Sequence, residues 1–138
     1  MNRLEQVRWN HQHGYNCAQA VACAYYELLG IEESILYRLA EGFGKGHAVR
    51  GTCGALSGAI FVLSALNSDG QVGKANTKLS TYDLVEHYIH DFSLQHESYV
   101  CKELLAIRAK KESELRTCTD VCAAAAELLE KYIKQVNS

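Results

Sequence analysis

The residues that could do chemistry in this 138-residue chain are its six cysteines: Cys17, Cys23, Cys53, Cys101, Cys118 and Cys122. A thiolate is both a nucleophile and a soft metal ligand, so this many cysteines points to redox chemistry or metal binding wherever structural disulfides are rare. The plainer role of a free cysteine is that of a small buried hydrophobe. No two of the six form C-x-x-C, which removes the thioredoxin motif and the zinc-ribbon knuckle. Cys118 and Cys122 are one helical turn apart and could share a metal ion.

The elements that must position these residues are helices. There is no proline, so helices end at glycines and start at polar caps. A first helix is predicted over about residues 2–13, stopping at Gly14. Asn16, with Gln19 three residues on, forms a capping box for a second helix over about residues 17–29, which presents Cys17, Val21, Ala24, Tyr25 and Leu28 on one face and ends at Gly30. Cys23 falls off that stripe and reads as packing. A short helix over about residues 33–41, with Ile35, Leu36 and Leu39, runs into the glycine-rich stretch G-F-G-K-G-H-A-V-R-G.

Thr52 is the expected cap of the next helix, residues 53–66, which is apolar or small all round and therefore central. Its Gly54, Ala55, Gly58 and Ala59 make a flat stripe for a close neighbour. After a polar segment, Ser80 and Asp83 suggest a cap for a helix ending near His96, with Tyr82, Val85, Tyr88, Ile89 and Phe92 buried. Ser98 suggests a cap for a helix carrying Cys101, Leu104 and Leu105, whose far end in A-K-K-E-S-E has no apolar face. Thr117 and Asp120 cap a last helix from Cys118 to about residue 135. The expected fold is all-α, one domain over residues 1–138, a bundle of about six or seven helices around a buried central one.

Placed on these helices, Cys17, Cys53 and Cys118 each follow a capping residue, and Cys101 lies in the first turn of its own helix. Free N–H groups and the positive end of the macrodipole favour a thiolate there. A cysteine kept for packing has no reason to prefer helix starts, so the pattern favours function. Two such thiols in contact could cycle between dithiol and disulfide. Three or four converging could hold zinc or an iron-sulfur cluster. Cys53 is the expected most reactive thiol, because the glycine loop, Gly44 and Gly46 in particular, leaves room beside it for a ligand. Lys45 and Arg50 either add positive charge to it or are ordinary loop charges.

Histidines come next. His11, His13 and His47 are near cysteines in sequence and could be ligands or acid/base groups, although a lone histidine is more often a surface or hydrogen-bonded residue. His87 and His90 have acidic helix-face neighbours and read as a solvated face. G-F-G-K-G satisfies neither G-x-G-x-x-G nor the phosphate-loop spacing, and helix precedes it.

The formal net charge is -2 and the pI about 6.3, with both signs interspersed, which argues against nucleic acid or an anionic membrane as partner. The longest apolar run, residues 55–66, is too short to span a bilayer. The charged N-terminal segment lacks the apolar core of a secretory signal, so a cytoplasmic location is expected.

The order N-C-A-Q-A-V (16–21), G-F-G-K-G (42–46), C-G-A-L-S-G-A (53–59), C-K-E-L-L (101–105) and then Cys118 resembles the C_GCAxxG_C_C family, described as redox-active proteins with four characteristic cysteines. The resemblance covers about residues 14–129 and assigns Cys17, Cys53, Cys101 and Cys118 as the four, leaving Cys23 and Cys122 as additions of this chain. Two departures are Thr52 directly before Cys53, with Gly51 one place earlier, and His47 where such sequences often carry methionine. The resemblance implies redox activity and, because similar domains accompany redox and iron-sulfur proteins, keeps a cluster open as cofactor.

The expectation is therefore a thiol-disulfide or electron-transfer protein with a redox partner protein or a small-molecule ligand, and if an enzyme, a thiol-dependent oxidoreductase. The alternatives are a non-catalytic zinc or iron-sulfur protein on the same four cysteines and a helical interaction module with structural cysteines. Gly44, Gly46 and His47 are the candidate ligand-binding residues of the loop. The aromatic residues Tyr25, Tyr26 and Tyr37 are compatible with a homodimer.

Overall fold

The computed structural model describes residues 1–110 and 115–136. Among them are eight α-helices and no strand: α1 (Arg3–Gln12), α2 (Cys17–Cys23), α3 (Tyr26–Leu29), α4 (Glu33–Ala40), α5 (Gly54–Asn67), α6 (Lys78–His96), α7 (Cys101–Ala109) and α8 (Cys118–Val136). The all-α expectation holds, with one more helix than the sequence suggested. The extra one arises because the predicted second helix breaks in two. Tyr25 leaves helical geometry at φ -109°, ψ 13°, its ring is fully buried, and its hydroxyl donates to Glu130 of α8 at 3.1 Å. Tyr25 is thus a core residue and offers nothing to a dimer surface.

Helix α5 is the centre of the bundle. Leu56, Val62 and Leu63 are fully enclosed, each worth about 1.5–3 kcal/mol of burial, and α2, α6 and α8 pack around them. Close approach of α2 depends on Gly58, where a Cβ would lie 2.5 Å from the Ala18 carbonyl oxygen. Local signals at two of the helix starts act as expected. Asn16 and Gln19 exchange side-chain-to-backbone bonds at 2.9 Å each, and Thr117 and Asp120 do the same at 3.1 Å.

Three starts differ from the sequence expectation. Thr52 does not cap α5; it is extended and forms an isolated antiparallel bridge with Val100, which moves the helix start to Gly54 and makes Cys53 the N-cap. Helix α6 starts at Lys78, and Ser80 bonds back to the Thr77 carbonyl from inside its first turn. Ser98 lies outside α7, holding the entry by accepting from the Val100 amide at 3.0 Å and donating to Glu103 at 2.5 Å. Of the predicted apolar faces, Tyr88 and Phe92 are fully buried while Tyr82, Ile35 and Leu39 are exposed. The segment whose helical extent the sequence left open, residues 111–114, lies outside the described residues, and α7 closes at Ala109.

Candidate functional site

The starts of α2, α5, α7 and α8 meet at one cavity of about 310 Å³, and Cys17, Cys53, Cys101 and Cys118 all line it. Each arrives by a different device. The Asn16 box presents Cys17 at the first position of α2, with the Asn16 amide also donating to the Glu41 carbonyl at 2.8 Å. The Thr117–Asp120 exchange does this for Cys118, and an ion pair from Arg8 to Asp120 at 3.0 Å ties α1 to that helix start.

Cys53 and Cys101 are set by the Thr52–Val100 bridge. The Cys53 amide donates to the Tyr99 carbonyl at 2.9 Å and the Cys101 amide to the Gly51 carbonyl at 2.7 Å. The alternation of an extended pair turns both side chains to the face opposite Thr52 and Val100, toward the cavity. Gly46 closes the wall behind them, and a Cβ on it would stand 2.7 Å from that of Cys101.

The glycine-rich loop is a left-handed turn. Lys45, Gly46, His47 and Ala48 all have positive φ, between 54° and 66°, and Arg50 has φ 59°. Four of these five are not glycine, and each costs roughly 1–2 kcal/mol, so packing must hold the turn. His47 supplies part of this, with Nε2 2.7 Å from the Ser57 hydroxyl and its ring edge-on to Phe43. His47 therefore braces the loop against α5 and does not line the cavity. Gly44 is packed against Asn16, leaving no space for a ligand, whereas Gly46 is in the cavity wall.

Three cations stand around the thiols. Arg50 Nη1 is 3.7 Å from Cys101 Sγ and Arg108 Nη1 is 3.3 Å from Cys118 Sγ; Lys45 lines the same cavity. Even with these charges and the helix starts, Cys17, Cys53 and Cys118 are not poised as thiolates. Burial pushes Cys53 up to about 11, against a downward pull from the Ala55 and Leu56 amides. Contact with the Cys118 thiol pulls Cys17 down, but contact with Cys122 and burial outweigh it and leave Cys17 raised. Cys118 is raised by its contact with Cys17 and by burial, with Arg108 opposing. The expectation that helix starts would favour thiolates fails at these three, because burial at Cys53 and thiol–thiol contact together with burial at Cys17 and Cys118 outweigh the helix start.

A second grouping overlaps the first. Nε2 of His11 and Sγ of Cys17 and Cys122 lie within 4.8 Å of one another, with His11 3.6 Å from Cys17. The other nitrogen of His11 is 2.6 Å from the Thr119 hydroxyl. Cys17 is the hub, touching His11, Cys118 and Cys122. The sequence underrated His11 and Cys122: no helical period links α1 to α2, and Cys122 carried only its turn spacing from Cys118. Arg108 was missed, although it stands two turns after Cys101 on the same face.

The remaining candidates are elsewhere. Cys23 is buried, its thiol raised to about 12 by burial and by Glu33. His13 stacks on Trp9 at 4.0 Å, and His87 is an exposed partner of Asp83. Among the described residues no helix is long and apolar enough to cross a membrane.

No curated protein and no solved structure matches the chain. Residues 15–132 match the family model described as "Putative redox-active protein (C_GCAxxG_C_C)". That span contains all four cavity cysteines in the order the motif requires, and the chain belongs to the C_GCAxxG_C_C family.

Proposed function

We propose that a soft transition-metal ion is bound beside this cavity through Cys17, Cys122 and His11, with Cys118 as fourth ligand. The observation that carries this is the convergence of three ligand atoms of the right kinds within 4.8 Å. In a tetrahedral site with metal-sulfur bonds of about 2.3 Å, ligand atoms stand roughly 3.5–3.8 Å apart, so closure requires a contraction of about an ångström. The contact from the other His11 nitrogen to Thr119 is the second partner a metal-bound imidazole normally has. Thiols that burial keeps protonated release their protons when a cation replaces them.

The test is titration of the reduced protein with Co(II) and Zn(II). Sulfur-to-cobalt charge-transfer absorption at one equivalent, displaced by zinc, is expected. It should weaken about 10-fold or more in affinity for Cys122→Ser and His11→Ala. Stoichiometric binding unaffected by either change would exclude this ligand set. An absorbing iron-sulfur species after anaerobic reconstitution, lost with Cys53→Ser and Cys101→Ser but not with His11→Ala, would assign the cavity to a cluster on the family cysteines instead.

A second reading is favoured by a separate observation. The Thr52–Val100 bridge places Cys53 and Cys101 on one face of paired backbone segments, as diagonal neighbours about 7–8 Å apart in a regular pair, so that a reversible disulfide would form with a small closing shift of the backbone. Oxidation of the metal-free protein with the neutral oxidant diamide should yield a Cys53–Cys101 disulfide by peptide mapping. Recovery of both as free thiols would exclude it.

A further inference from the structure

We infer that Cys101 is the attacking thiol of the Cys53–Cys101 pair and that its oxidant is a small disulfide bearing carboxylates, bound by Arg50 and Lys45. This rests on the redox reading of that pair and is independent of the metal reading, which uses Cys17, Cys118, Cys122 and His11.

The two thiols are unequal. Cys101 is partly exposed and Cys53 is buried. Cys101 occupies the first position of α7, where the helix start favours negative charge, and has the Arg50 guanidinium 3.7 Å from its sulfur. Among the described residues Cys53 has no such cation contact, and burial keeps it protonated at neutral pH. An incoming disulfide therefore meets the more reactive and more accessible sulfur first.

The cavity also says what kind of disulfide fits. Its rim carries Lys45 and Arg50, both exposed, and neither is in an ion pair among the described residues. Its inner wall is apolar, formed by Leu104, Leu105 and Val121. A small molecule with an aliphatic disulfide core and terminal carboxylates matches both parts, since its charges stay at the cationic rim while the sulfurs reach inward.

The chemistry balances within the pair and this oxidant. The Cys101 thiolate attacks one sulfur of R–S–S–R, a Cys101–S–S–R bond forms, and R–S⁻ leaves. Cys53 gives its proton to the departing thiolate and attacks the Cys101 sulfur. The Cys53–Cys101 bond forms and the second R–S⁻ leaves, taking a proton from solvent. One disulfide is reduced to two thiols and the protein dithiol is oxidised to one disulfide.

The test uses the full chain, reduced and metal-free, with two aliphatic disulfides of similar size: dianionic 3,3′-dithiodipropionate and dicationic cystamine. The dianion is expected to react faster than cystamine by about tenfold relative to the same ratio for a reduced cysteine peptide, the low end of what focused charge does for an approaching ion. Lys45→Gln with Arg50→Gln should bring the ratio back to the peptide value. Cys53→Ser, or Cys53→Ala should the serine variant not fold, should stall at a mixed disulfide that peptide mapping places on Cys101. A mixed disulfide on Cys17 or Cys118 in that variant, or a ratio that ignores the double substitution, overturns the inference. If either occurs while diamide still forms the Cys53–Cys101 disulfide, the redox pair stands and only its assigned attacker or oxidant falls. If diamide forms none, the pair itself falls.

Discussion

Cys53 and Cys101 enter the cavity from the two sides of one antiparallel bridge, with the Cys53 amide on the Tyr99 carbonyl at 2.9 Å and the Cys101 amide on that of Gly51 at 2.7 Å. In an otherwise helical chain this short extended pairing does one thing: it delivers two thiols from distant segments to the same wall. Because both bonds are backbone bonds, the arrangement survives replacement of either sulfur. Cys→Ser variants at these positions therefore report on chemistry more than on structure.

The close contact of α2 with α5 should be sensitive to a single methyl group. At Gly58 a Cβ would lie 2.5 Å from the Ala18 carbonyl oxygen and 3.1 Å from the Val21 Cβ. Gly58→Ala is expected to cost about 1–3 kcal/mol in urea unfolding. At Gly42 a Cβ meets nothing within 4 Å, and Gly42→Ala should stay within about 0.5 kcal/mol of the parent. Equal effects from the two would show that α2 and α5 are not in this contact.

Stability should fall in alkali. Burial raises Cys53 from the ordinary thiol value of 9.0 to about 11, so the folded state prefers the protonated form. Its contribution is complete below about pH 9 and is lost as pH rises toward 11, where the unfolded chain has released a proton that the folded chain still holds. One such thiol gives a slope of about 1.4 kcal/mol per pH unit. Cys23, raised to about 12 by burial and by Glu33, adds loss in the same direction. Urea midpoints with reductant and chelator would measure this, and a flat profile through that window would contradict the buried placement of both groups.

The Thr119 hydroxyl should tune His11 as a ligand without touching the metal. Its contact at 2.6 Å with the nitrogen facing away from Cys17 orients the ring. Thr119→Val keeps the shape and removes that partner. Competition with a chromophoric chelator should show zinc affinity reduced about 10–100-fold, while Thr119→Ser retains it. A Val variant that binds as tightly as the parent would remove His11 from the ligand set.

What could be read without coordinates is what the chain decides within four residues. Asn16 with Gln19 and Thr117 with Asp120 announce helix starts because their bonds close locally, so the exposed backbone N–H groups behind Cys17 and Cys118 follow from composition and spacing. The all-small stripe around Gly54 and Gly58 likewise marks α5 as the helix others approach. Local reading fails where a local pattern competes with a distant partner. Thr52 has the chemistry of a cap, but its bridge to Val100, closed by the Cys53 and Cys101 amides, holds it extended. Tyr25 continues a helical stripe, but the core and Glu130 draw it out of helical geometry.

The sequence by itself thus determined that four cysteines stand at or beside helix starts, and the family motif named the same four. Only the tertiary structure decided that those starts face one cavity, that His11 and Cys122 converge on Cys17, and that Arg50 and Arg108 stand on Cys101 and Cys118. It also reversed the expected ionisation of Cys17, Cys53 and Cys118. A helix start acts on a thiol through its own first turn, whereas desolvation depends on every element packed over it, and over Cys53 those elements come from the whole length of the chain.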